Sequence, residues 1–87
     1  MKHRSRTDII ANMLESASDK PLTKTQLMYM AFVPHEQMRN FVAMLIENDL
    51  LNFNNQTHQF NTTSKGRKFL ELYDEMHQCV DLAGLSE

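Results

Sequence analysis

A mainly α-helical fold with a small β-hairpin is what this chain predicts, and three observations carry that reading. Apolar residues recur at three- and four-residue spacing over most of the 87 residues. Between residues 50 and 62 that period gives way to two. Between the periodic stretches stand helix-start and helix-stop residues: Ser5, Pro21, Thr23, Pro34, Asn48-Asp49 and Thr63. At this length there is room for one hydrophobic core, so residues 1–87 are expected to form a single domain.

The first helix starts near Ser5, capped by Ser5 or Thr7, with Asp8 in the electropositive first turn. Ile9, Ile10, Met13, Leu14 and Ala17 make its apolar stripe, and Ser18-Asp19-Lys20-Pro21 ends it. Thr23-Lys24-Thr25-Gln26 is a capping box: the Thr23 hydroxyl satisfies the Gln26 amide while the Gln26 side chain reaches back to the Thr23 amide. Leu22 and Leu27 flank it as a hydrophobic staple, and this second helix ends near Ala31, before Phe32-Val33-Pro34. Pro34 opens a third helix, where a missing N–H costs nothing. Its inward stripe is Met38, Phe41, Val42, Leu45 and Ile46, and Asn48-Asp49 stops it.

Leu51 and Phe53 then alternate with Asn52 and Asn54. Past the polar tip Asn55-Gln56-Thr57-His58, Phe60 and Thr62 alternate with Asn61, so the segment reads as a hairpin. Thr62-Thr63-Ser64 caps a last helix running through Lys65 to about Ala83, closed by Gly84-Leu85. Phe69, Leu70, Leu72 and Tyr73 complete the core from its first turns. Along it Phe69, Tyr73, Met76, Val80 and Ala83 step by four and three, a short coiled-coil-like seam.

Two helices joined by a tight turn, followed at once by a hairpin, make a winged helix-turn-helix, here with an added long C-terminal helix. The expected layout is a basic arm over residues 1–6, the helix-turn-helix and wing over 7–62, and a pairing helix over 63–87. Charge divides along it. Net charge is −2, yet all nine Lys and Arg fall within residues 1–70, whereas residues 71–87 carry only acids. A mildly basic body with an acidic tail gives the surface a directional field.

The chain resembles the small archaeal winged-helix transcriptional regulators. The resemblance rests on Ser5-Arg6-Thr7-Asp8-Ile9-Ile10, Thr23-Lys24-Thr25-Gln26-Leu27-Met28-Tyr29, Leu45-Ile46-Glu47-Asn48-Asp49-Leu50-Leu51 and Thr62-Thr63-Ser64-Lys65-Gly66-Arg67-Lys68-Phe69-Leu70. It covers most of residues 5–76 and implies DNA binding by a protein that pairs through its C-terminal helix. Asp49 stands where such proteins usually have Gly, and Pro34-His35 where Ser-Tyr is common.

In such a fold the third helix lies in the major groove. His35, Gln37, Arg39 and Asn40 face outward from it, and Arg suits guanine as Asn and Gln suit adenine. Arg4 and Arg6 in the arm, Lys24 and Thr25 at the second helix, and Lys65, Arg67 and Lys68 after the wing are the expected phosphate contacts. The wing tip carries neither Lys nor Arg, so light contact or none is expected there. Phe69, Tyr73, Met76, Val80 and Ala83 are the expected dimer interface.

Other chemistry finds no footing in the sequence. The four His stand on separate elements without ligand spacing, so no metal is expected. Cys79 is the only cysteine, which excludes an intramolecular disulfide framework and fits a reducing cytoplasm. No phosphate loop, nucleophile elbow or carboxylate pair is visible, and no cofactor or small-molecule effector is implied. No apolar run reaches the roughly 20 residues that span a bilayer, and a membrane partner is not expected. The expectation is a cytoplasmic DNA-binding transcriptional regulator and not an enzyme, with double-stranded DNA and a second copy of itself as partners. The alternative is a winged helix serving as a protein-interaction module, with no DNA partner.

Overall fold

The computed structural model describes residues 4–79. Four helices and a three-stranded antiparallel sheet follow in the order α1 (Arg6–Asp19), β1 (Leu22–Thr23), α2 (Lys24–Ala31), α3 (His35–Glu47), β2 (Leu51–Asn54), β3 (Gln59–Thr62) and α4 (Ser64–Cys79). The winged helix-turn-helix expectation is met. The expected Val80 and Ala83 seam positions and the Gly84-Leu85 closure lie outside the described residues.

The caps predicted at Ser5 and Thr23 form. Ser5 opens α1 with a full capping box, its hydroxyl accepting from the Asp8 amide and the Asp8 carboxylate from the Ser5 amide. Thr23 and Gln26 do the same for α2. Both α2 and α3 end in Schellman motifs built on non-glycine residues. Val33 N–H donates to Met28 O with Phe32 left-handed (φ 55°), and Leu50 N–H donates to Leu45 O with Asp49 left-handed (φ 62°). Asp49, at the position where Gly is usual, therefore occupies the backbone region that Gly relieves.

Leu22 and Thr23 add a strand that was not predicted. Leu22 lies opposite Phe60 and Thr23 opposite Gln59, so the hairpin becomes a sheet of order β1-β3-β2. Two residues are too few to show a period of two, and the capping box that follows is the louder signal. The sheet ties the start of α2 to the root of the wing.

Met13, Leu14, Ala17, Leu22, Leu27, Ala31, Met38, Leu45, Leu51 and Phe60 form the core. Three expected core residues lie outside it, one of them the half-buried Tyr73, which bonds to the head of α1. Ile46, on the predicted inward stripe of α3, is 41 % exposed, because α3 buries only the narrow arc of Met38, Phe41 and Leu45. Leu72 is 50 % exposed, since α4 turns Phe69 and Leu70 toward the core and leaves Leu72 on the far side.

The start of α4 is clamped to the end of α3. Thr63 Oγ1 donates to Asp49 O and accepts from Gly66 N–H, and Lys65 Nζ donates to Asn48 O at 2.9 Å. Gly66 is buried, and a Cβ there would collide with the Leu50 carbonyl oxygen and the Thr62 methyl. The Thr-Ser-Lys-Gly run thus needs glycine for close approach, not for turn geometry. Thr62, the buried polar residue of the core, satisfies its hydroxyl on Leu14 O at 2.6 Å.

Candidate nucleic-acid interface

α3 presents its outward arc between two unlike flanks. On one side, the start of α1 and α3 enclose an open cavity lined by Arg4, Arg6, Ile9, Gln37, Asn40 and Phe41. On the other, α2, α3 and the sheet enclose a groove lined by Lys24, Met38, Arg39, Val42, Ala43 and Phe60. The four expected base-reading residues are therefore divided. Gln37 and Asn40, three apart, share the α1 flank, and Arg39 stands on the other. His35, four residues before Arg39, lies on the same face of the helix one turn earlier.

The cations on the α1 flank are held by folded structure. The Arg4 guanidinium donates to Ala31 O at 2.6 Å and also to Phe32 O, capping the carbonyl end of α2. Arg6 lies over the Phe41 ring, 5.4 Å from its centroid. A carbonyl and an aromatic face orient a guanidinium without cancelling its charge. On the opposite flank Lys24 and Thr25 are exposed at the α2 N-terminus, where unpaired backbone N–H groups favour an anion.

The three basic residues expected after the wing are less available. Lys65 is bonded to the end of α3, Arg67 reaches Ser18 at 3.4 Å, and Lys68 pairs with Glu71 at 3.9 Å. Their sequence cluster gave no hint of these local acceptors, because Ser18 lies 49 positions away and Asn48 17. Among the described residues, Lys68–Glu71 is the one ion pair within 4 Å, so Arg4, Arg6, Lys24 and Arg39 have no carboxylate partner there.

The expected pairing seam divides as well. Phe69 packs on the core, and the Tyr73 hydroxyl donates to the Asp8 carboxylate at the head of α1. The Tyr73 hydroxyl holds Asp8 below the usual carboxylate range, against the opposing effect of burial and with help from Ser5. Burial first, then the Asp8 bond, pushes Tyr73 up to about 12. His77 meets the Tyr73 ring edge-on at 4.5 Å. The large apolar residues that α4 leaves exposed are Leu72 and Met76, with Cys79 one turn further.

Sequence reasoning missed two features here. Arg4, read as a free arm residue, is a cap for a helix 27 positions away, and no local signal announces it. Tyr29, Met30 and Phe32 form an exposed apolar group at the helix-turn-helix corner, with Phe32 78 % exposed. The run Leu-Met-Tyr-Met-Ala-Phe carries too few polar residues to mark an outer face. No group of three potential metal-ligating side chains occurs among the described residues. No helix there is long and apolar enough to cross a membrane.

Two helices meeting at a tight corner, with a hairpin wing behind and cations about the second of them, define a winged-helix protein. Residues 3–81 match the winged helix-turn-helix family, and the chain belongs to that family. It is similar to an uncharacterized protein of Methanocaldococcus jannaschii, 27 % identical over 77 residues. That match spans 88 % of this chain but 36 % of the relative's length. The fold is that of Sso10a-2, a DNA-binding protein from Sulfolobus solfataricus, with TM-score 0.80 and 15 % identity over 95 % of this chain and 88 % of that one.

Proposed function

We propose that the protein binds double-stranded DNA with α3 in the major groove, and that it does so as a homodimeric, non-enzymatic transcription regulator. The observation that carries this is the set of four cations, Arg4, Arg6, Lys24 and Arg39, around the outward face of α3 with no carboxylate partner among the described residues. The described DNA-binding protein of the same fold supports it.

In this reading Arg39, with His35 beside it, reads base edges. Gln37 and Asn40 sit with Arg4 and Arg6, where carboxamides reach either an adenine edge or the neighbouring phosphate. Lys24 and Thr25 hold the strand on the opposite side. Lys65, Arg67 and Lys68 contribute mainly by stiffening the α3–wing–α4 junction and lend long-range field. Residues 63–87 pair two copies. The pairing seam starts from exposed Leu72 and Met76 and continues toward Val80 and Ala83, with Phe69 and Tyr73 holding α4 to its own body. Twofold pairing would set two recognition helices about 34 Å apart.

Fluorescence anisotropy of a labelled duplex across a salt series tests this, with light scattering for mass. With Arg4, Arg6 and Lys24 each on a phosphate, one protomer predicts a slope of about −2.7 in log K against log salt, and the dimer about −5.4. Arg39→Ala should lower affinity for a selected sequence by about 1–3 kcal/mol, and for random duplex far less. A monomer by mass, or a Leu72→Glu/Met76→Glu variant that stays dimeric, would remove the pairing part alone.

The exposed Tyr29, Met30 and Phe32 favour a second reading, a protein-interaction module. No duplex binding even at low salt would select it.

A further inference from the structure

The groove on the α2 side of α3 is unlike a phosphate site. Its lining is Met38, Val42, Ala43 and Phe60, with Lys24 and Arg39 as its two polar members. Met38 and Phe60 are buried, Val42 is half-buried and Ala43 is exposed, so solvent meets a strip of methyl groups between two cations. No acid lines it; Glu36 and Glu47 are exposed elsewhere on α3. Ile46, one turn beyond Val42 and 41 % exposed, lengthens the apolar strip along the helix.

Exposed apolar side chains on a helix flanked by unpaired cations need an occupant that is itself apolar at its centre and anionic at its rim. The major-groove edge of a thymine has that form: a C5 methyl projects into the groove and phosphates border it on both sides. Charge complementarity thus selects duplex DNA over a neutral apolar peptide. We propose that Val42 and Ala43 read a thymine C5 methyl, with Arg39 on a neighbouring guanine and Lys24 on the adjoining phosphate. This rests on the DNA-binding reading above and gives it a sequence preference.

The spacing makes the preference specific. Arg39 and Ala43 are four residues apart, roughly 6 Å along the helix axis. A strand advances about 3.4 Å per base. The methyl-bearing base therefore falls within about two steps of the guanine. Removing one methyl removes one apolar group from a closed contact, which corresponds to about a fourfold loss of affinity.

The test uses the full chain. Duplexes are selected from a random pool, and the best is resynthesised with deoxyuridine replacing each thymine in turn, which deletes the C5 methyl and leaves every hydrogen-bonding group in place. The expected result is about a fourfold loss at one thymine within two steps of an Arg39-dependent guanine, and little change elsewhere. In Ala43→Ser and Val42→Ala variants, checked for folding by circular dichroism, that thymine and deoxyuridine should bind nearly alike. Equal affinity of the wild-type protein for thymine and deoxyuridine duplexes at every position would overturn the methyl reading and leave DNA binding standing. That is also the result expected if the groove takes a protein side chain. Failure to bind any duplex at low salt would overturn both.

Discussion

The two flanks of α3 share one helix and differ in how their cations are held. On the α1 side, Arg4 is bonded to the Ala31 and Phe32 carbonyls and Arg6 lies over the Phe41 ring, so the residues that would meet a phosphate also hold the corner together. On the α2 side, Lys24 and Arg39 line an apolar groove and have no hydrogen-bonded or carboxylate partner for their charged groups among the described residues. The same formal charge is thus structural on one flank and free on the other. The difference teaches that a count of surface Lys and Arg says little about binding until the acceptor of each is known. Preorganised guanidiniums lose less side-chain entropy on meeting DNA, whereas a free Lys loses more and is easier to replace.

The largest expected effect removes the support common to both flanks. Gly66→Ala pushes a methyl into the Leu50 carbonyl and the Thr62 side chain, between the end of α3 and the start of α4. Backbone must move to relieve it, and overpacking of this kind costs about 1–3 kcal/mol. Urea denaturation should show a lower midpoint with unchanged slope, and both flanks should lose binding together.

Arg4→Ala and Lys24→Ala then separate the flanks. Arg4→Ala strips two charge-assisted bonds from the α2 C-terminus, one of them partly buried, and should cost about 1–2 kcal/mol of stability. Lys24→Ala should stay within about 0.5 kcal/mol, as exposed substitutions do. Each should flatten the salt slope by about 0.9 per protomer, about 1.8 for the dimer. If the two variants are equally stable, the contrast between structural and free cations fails.

How much of this was legible in the sequence follows from how local each cause is. The Thr23 capping box, the break at Pro21 and the period-two run of the wing act within a few residues, and each is legible at its place. The cap that Asp8 completes with Ser5 is equally local and was half read, as a charge in the first turn. What escaped is decided across the chain. β1 exists because Leu22 meets Phe60, and Ile46 stays outside because α3 buries only the arc of Met38, Phe41 and Leu45. In the candidate site the types were legible and the partners were not: Arg4, Lys65 and Arg67 each find a main-chain acceptor that no spacing rule reveals.

Phe32→Gly should have a smaller effect of opposite sign. Phe32 is left-handed at the corner with its ring 78 % exposed, so glycine relieves the backbone and forfeits little burial. A gain of about 1 kcal/mol is expected in thermal or urea unfolding. The Arg4 bonds are made to carbonyls and survive the change. A destabilised Phe32→Gly would mean that the exposed ring is packed in solution, which fits the interaction-module reading better than the DNA one.

The smallest effect concerns the far end of the α1 flank, where Tyr73 ties α4 to Asp8. Asp8 sits below its ordinary range when folded, so its contribution is present above the unfolded carboxylate pKa of about 3.9 and is lost as pH falls through the lower folded value. Tyr73 is pushed up to about 12, so its contribution is whole below the unfolded pKa near 10 and declines as pH rises from 10 to 12. Tyr73→Phe removes the phenol and the bond together. Its melting temperature should therefore lie below the wild type's at neutral pH, and the gap should narrow toward both extremes. Because Arg4 and Arg6 bond elsewhere, the salt slope for DNA should not move. A Tyr73→Phe variant that altered the slope without altering the pH dependence would mean that α4 and the α1 flank are coupled through the backbone of the arm and not through this hydrogen bond.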